Sequence, residues 1–102
     1  MVDNGYQNRP AQARERVVDE ATFLAFVACL AEDRFDEVEK ERGRPMSWGS
    51  GANGWENGTI EAFLEACVRW GQVSRDGLRL YAKPDNPWRR CADILYAGKI
   101  YE

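Results

Sequence analysis

Three adjacent residues with chemical potential, Trp55, Glu56 and Asn57, stand just ahead of an amphipathic run in the stretch W-E-N-G-T-I-E-A-F-L-E-A. A glutamate pressed against an indole can be desolvated, its pKa raised, and so act as a general acid. Glycoside cleavage would need a second carboxylate ~5–9.5 Å away. Glu61, Glu65 and Asp93 are available, and no spacing singles one out. A pocket lined by Trp55, Glu56 and Tyr101 is therefore one reading, for a small-ligand binder or enzyme. The competing reading is architectural. Thr59 can accept an orphan N–H of a helix starting at Ile60, with Asn57 as a rival cap. Glu61 in the first turn suits the helix dipole, Gly58 lets the chain bend, and Trp55 plugs one end of a core. That reading gives every residue a task except Glu56, and it is preferred.

Other catalytic arrangements are poorly supplied. The chain has no histidine, so the commonest general base and metal ligand is missing and Ser47, Ser50 and Ser74 have nothing of that kind to activate them. Gly49, Gly51 and Gly54 are not followed by the G-K-[ST] of a phosphate loop. Asn57-Gly58-Thr59 matches the glycosylation sequon, but the polar N-terminal residues offer no secretory signal. Cys29, Cys67 and Cys91 are odd in number, contain no C-x-x-C, and read as small buried hydrophobes. No metal, no cofactor and no enzymatic activity are expected.

The 102 residues suffice for one small domain, and 44% hydrophobic with 30% charged residues is ordinary for a globular protein. Net charge is −3, which disfavours phosphate neutralisation and hence nucleic acid. One local exception is the basic patch over 69–90, six bases against two acids, whose Arg75, Arg79, Arg89 and Arg90 form the alternative nucleic-acid surface. No run reaches the ~20 apolar residues that span a bilayer; no membrane association and a cytoplasmic location are expected.

Three helices must position whatever site exists. Asp19 caps the first, whose Phe23, Phe26, Val27 and Leu30 recur at helical spacing. The stripe weakens through Ala31, Phe35 and Val38, predicting either a continuous helix to about residue 40 or a break near Asp33. Ile60, Phe63, Leu64, Cys67 and Val68 mark a second helix, ending near Gly71. Asn86 and Pro87 open a third, carrying Trp88, Cys91, Ile94, Leu95 and Tyr101. The D-G pair within 72–82 allows at most a minimal β-hairpin. Residues 1–17, polar and aperiodic, read as a flexible arm before a single helical domain over 18–102. The run from Arg42 to Gly54 is a long glycine-rich loop with Trp48 at its middle.

The block W-E-N-G-T-I-E-A-F-L-E-A (Trp55 to Ala66), followed by N-P-W-R-R-C-A-D-I-L-Y-A-G-K-I-Y-E (Asn86 to Glu102), resembles a family of small acidic bacterial proteins of unknown function. Its pattern W-E-N-x-T-[LI]-x-x-F-L-E-A is followed there by a second block, W-x-x-x-A-D-I-L-x-A-x-x-Y-E. Phe23, Phe26 and Leu30 match its upstream helix, so the resemblance covers about half the chain. The Arg42–Gly54 loop is longer and richer in glycine than the family's. The resemblance implies no established activity; proteins of this type are suspected of immunity or inhibitor roles.

The expected fold is mostly all-α, a compact three-helix domain. Its core should hold Phe23, Phe26, Leu30, Ile60, Phe63, Leu64, Cys67, Ile94 and Leu95, closed by Trp55 and Trp88. The leading functional expectation is a non-catalytic protein-binding module, of inhibitor or immunity type, that occludes a partner protein. Its surface would combine Trp48 with Glu32, Asp33, Asp36 and Glu37, from a stretch of six acids and two bases between Glu32 and Glu41. An aromatic anchor with a charged rim suits a basic partner, and the same surface could drive homodimerisation.

Overall fold

The computed structural model describes residues 5–43 and 53–102. Their order is α1 (Gly5–Glu15), α2 (Glu20–Gly43), α3 (Ile60–Val73) and α4 (Pro87–Ile100). The fold is mostly all-α, with one helix more than the sequence pattern predicts. Residues 5–15, expected within a flexible arm, instead form a helix packed on α2 and α4. Pro10 is fully buried and Val17 follows it into the core. The α1 segment carries few large apolar residues and a proline that ordinarily disrupts a helix interior, so periodicity could not reveal it. Packing stabilises it in place of propensity.

Asp19 caps α2 as its sequence suggests. Asp19 Oδ1 accepts the Thr22 N–H, while Thr22 Oγ1 accepts the Asp19 N–H. The helix then runs unbroken to Gly43. Its most buried line is Phe26, Leu30, Asp33 and Glu37, which share one face at i, i+4, i+7 and i+11. The inward stripe changes from hydrocarbon to carboxylate halfway along without changing direction.

Thr59 caps α3 by accepting the Ala62 N–H. Asn86 caps α4 by accepting from Trp88 and Arg89, with Pro87 in the first turn. The α3–α4 contact is close because Gly98 has no side chain: a Cβ there would lie 2.6 Å from both Cys67 Sγ and Phe63 Cε1. Between these helices the chain turns through Gly77 at φ 86°, with a lone antiparallel bridge from Leu78 to Tyr81.

Val17, Phe26, Leu30, Trp55 and Ala92 form the centre of the core, with Phe23, Phe63 and Leu95 packed against it. Three expected core residues lie elsewhere. Ile60 is 78% exposed and Leu64 54% exposed, and Trp88, paired with Phe23, is partly open to solvent. Helix α3 rests on α4 and, among the described residues, does not pack closely on α2. Its inward line is thus Phe63, Ala66, Cys67 and Trp70, and the neighbouring Ile60–Leu64–Val68 line is left outside. The helix also passes Gly71 and ends at Val73, with Ser74 as its C-cap.

Candidate docking groove

A buried polar network sits at the junction of α2, α4 and the 53–58 segment. Asp33 and Glu37 are each 1% exposed, and carboxylates so placed must be paired and hydrogen-bonded. Asp33 Oδ2 accepts from Lys99 Nζ at 2.6 Å and from Trp55 Nε1 at 2.8 Å. Glu37 Oε1 accepts the N–H groups of Asn53 and Trp55 at 3.0 and 3.2 Å, and its Oε2 accepts from Arg34 at 2.6 Å. Asn53 donates to the Asp33 carbonyl and to Asp36, whose carboxyl is held below the usual range by its bond to Lys40 and then by Asn53. The W-E-N triplet closes the other side. Asn57 Nδ2 donates to the Gly98 and Tyr101 carbonyls, both at 2.9 Å, and the Glu56 N–H donates to the Lys99 carbonyl. Asn57 is therefore not the α3 cap but a clasp for the last turn of α4.

Above this network lies a groove of about 290 Å³ between α2 and the start of α3. Trp55 and Phe63, their rings 6.1 Å apart, meet there with Leu30. Val27 and Ala31 line the α2 side and Ile60 the α3 side. The Arg34 guanidinium lies 5.5 Å from the Trp55 ring and donates to the Gly58 carbonyl, tying α2 to the entry of α3. Outside the groove lining, Leu24 and Phe35 on α2 and Leu64 on α3 are exposed apolar side chains, whereas the exposed Val68 lines a separate hollow with Cys67, Gly71 and Ile94. Exposed Glu61 and Glu65 follow Ile60 and Leu64 by one residue along α3.

The sequence-derived partner surface is not assembled as expected. Asp33 and Glu37 face inward as structural carboxylates and cannot meet a partner. Glu32 is exposed beside Arg9, and Asp36 is half-buried against Lys40. Trp48 lies outside the described residues. The alternative pocket also dissolves: Trp55 is buried beside the groove, Glu56 is exposed, and Tyr101 lines a different cleft. In the basic patch, Arg89 is tied to Asp93 and Arg90 to Ser74 and the Gly71 carbonyl. Phe35, expected on the weak continuation of the α2 stripe, is instead exposed, as is Leu24, which lies off that stripe. The four-residue spacing of Ile60, Leu64 and Val68 was visible, but its phase relative to α4 was not.

Among the described residues no three potential metal ligands converge, and no helix is long and apolar enough to cross a membrane. No curated protein and no solved structure matches the chain. The matched segment, residues 19–102, runs from the α2 cap through the W-E-N clasp to the end of the chain and leaves out α1; on that match the chain belongs to the family described as "Family of unknown function (DUF7660)".

Proposed function

We propose that this protein is a protein-binding module whose α2–α3 groove receives an amphipathic helix of a partner, apolar on one face and flanked by Lys or Arg. The supporting observation is the exposed apolar surface shared by two helices, Leu24 and Phe35 on one and Ile60 and Leu64 on the other, beside a groove that reaches Trp55. Contiguous exposed apolar area rimmed by polar residues marks interaction surfaces, and two helices flanking a groove suit helix-in-groove recognition. Glu61 and Glu65 provide acidic flanks that steer a basic partner and set its register. The module is non-catalytic. Its mechanism is masking of the partner's helix, as an inhibitor or immunity protein would act.

The test is isothermal titration with a Leu/Lys amphipathic peptide and its Leu/Glu counterpart, using the intact protein, Leu64→Asp, Ile60→Asp and the remote control Arg79→Asp. Saturable binding of the Leu/Lys peptide alone, abolished in the two groove variants and kept in the control, supports the reading. Equal binding of both peptides, or none, overturns it. Concentration-dependent light scattering lost in Leu64→Asp would instead identify a second copy as the occupant.

A further inference from the structure

Helix α1 is held differently from the other three. Its sequence, G-Y-Q-N-R-P-A-Q-A-R-E, is polar on the whole and carries Pro10 in its interior. A helix this short is marginal alone in water, and an interior proline removes a backbone bond and crowds the preceding turn. Docking must therefore supply its stability, and the docking is narrow. Among its described side chains, Pro10 is fully buried and Ala13 packs against the core. Arg14 Nη1 donates to Asp93 Oδ1 at 2.8 Å, and the guanidinium lies 4.9 Å from the Tyr96 ring. Two further ties are weaker. Arg9 and Glu32 form an exposed pair at 3.8 Å, of a kind that contributes little, and Arg89 reaches the Glu15 carbonyl at 3.4 Å. The docked position also carries a cost: Arg14 Nε is buried with no hydrogen-bond partner among the described residues.

Immediately after α1 the chain is fastened independently. Val17 is buried in the core. The Val18 N–H donates to Thr22 Oγ1, and the Val18 carbonyl accepts from Asn86 Nδ2, each at 2.9 Å. These bonds confine any movement of α1 to the residues before Val17 and leave the α2 cap in place. Asp93 is likewise provided for without Arg14, since Arg89 Nε at 3.0 Å and the Tyr81 hydroxyl at 2.6 Å still donate to it. The family match supplies a separate observation: it begins at residue 19, so α1 lies outside the part of the chain that the family shares.

We propose that α1 is a latch that opens as a unit about the turn at Arg16 while α2, α3 and α4 stay folded, with the Arg14–Asp93 pair as its catch. Arg14 also forms one wall of a cleft of about 500 Å³ whose lining includes Trp70, Tyr81, Asp93 and Tyr96. Opening removes that wall and turns the Asp93–Tyr96 side of α4 towards solvent. The latch is independent of the docking groove and does not rest on it.

The experiment is native-state hydrogen exchange on the intact protein, followed by NMR at increasing urea below the unfolding transition. Segments that open locally exchange faster than the core and respond weakly to denaturant, because little surface is exposed. The Ala13, Arg14 and Glu15 amides should exchange roughly 100-fold faster than those of Phe26 and Ala92, with little dependence on urea. In Arg14→Gln the same α1 amides should exchange about tenfold faster again, or more, while Phe26 and Ala92 remain protected. Exchange of α1 at the rate and with the urea dependence of the core overturns the proposal, as does an α1 with no protection at all. Unchanged α1 exchange in Arg14→Gln overturns it too, and so does global unfolding of that variant, since the rest of the domain would then depend on the latch.

Discussion

Lys99 Nζ lies 2.6 Å from Asp33 Oδ2, and both side chains are almost wholly buried although 66 positions separate them. This pair joins the middle of α2 to the last turn of α4, with Trp55 Nε1 as a third member. Removing one partner of a buried pair leaves an uncompensated charge, which costs about 3–5 kcal/mol. Lys99→Met should be destabilised by that amount in urea melts. The double variant Asp33→Leu/Lys99→Met should lie well above the sum of the two single losses in stability. Simple additivity would show that the two residues are not coupled.

The close α3–α4 approach at Gly98 is testable by adding a single methyl. Gly98→Ala forces a Cβ against Cys67 and Phe63, and overpacking of this kind costs about 1–3 kcal/mol. Cys67→Ala on that background should recover part of the loss, because it removes one of the two obstacles. Thermal unfolding of the four proteins in the cycle gives the answer.

Burial separates residues that look alike in sequence. Phe26 is fully buried in the core, so Phe26→Ala should cost about 3–5 kcal/mol. Leu64, over half exposed, should cost no more than about 0.5 kcal/mol on truncation to Ala. Equal losses in chemical denaturation would place Leu64 in the core and remove the docking surface with it.

The thiols should differ in reactivity. Burial pushes the Cys67 thiol up from its ordinary range, and it raises Cys29 as well, whereas Cys91 is exposed. Since the thiolate is the reactive form, Ellman's reagent should label Cys91 first and reach Cys67 only on unfolding. Rapid modification of all three in the native protein would contradict the α3–α4 packing.

Tyr81 should ionise above the ordinary tyrosine range, because burial and then the hydrogen bond to Asp93 favour its neutral form. A phenol whose pKa is raised by folding contributes stability that is full below the unfolded value of about 10 and declines as pH rises above it. The ultraviolet phenolate titration should therefore lose its latest-ionising component in Tyr81→Phe. That variant should also show a flatter fall in stability on the alkaline side.

Much of the local structure was legible. Asp19, Thr59, Asn86 and Pro87 announced three helix starts through the N–H groups that their positions satisfy, and Phe26 and Leu30 announced the inward side of α2. These signals are local: a cap or a stripe acts within one or two turns of its own residue. The same locality explains the errors. Asp33 and Glu37 look like any acids on a solvated helix until Lys99, Arg34 and the 53–55 backbone arrive to match them. Trp55 and Asn57 carry no local sign that they clasp α2 and α4.

The sequence alone determined that the chain is helical and where three of its helices begin. Only the tertiary structure decided that α1 is part of the domain, that the acids of α2 point inward, and that Ile60 and Leu64 remain outside. The reason is that hydrophobic spacing fixes which residues share a helix face, whereas which face is covered depends on partners far along the chain. For α3 that partner is α4, admitted at close range by Gly98.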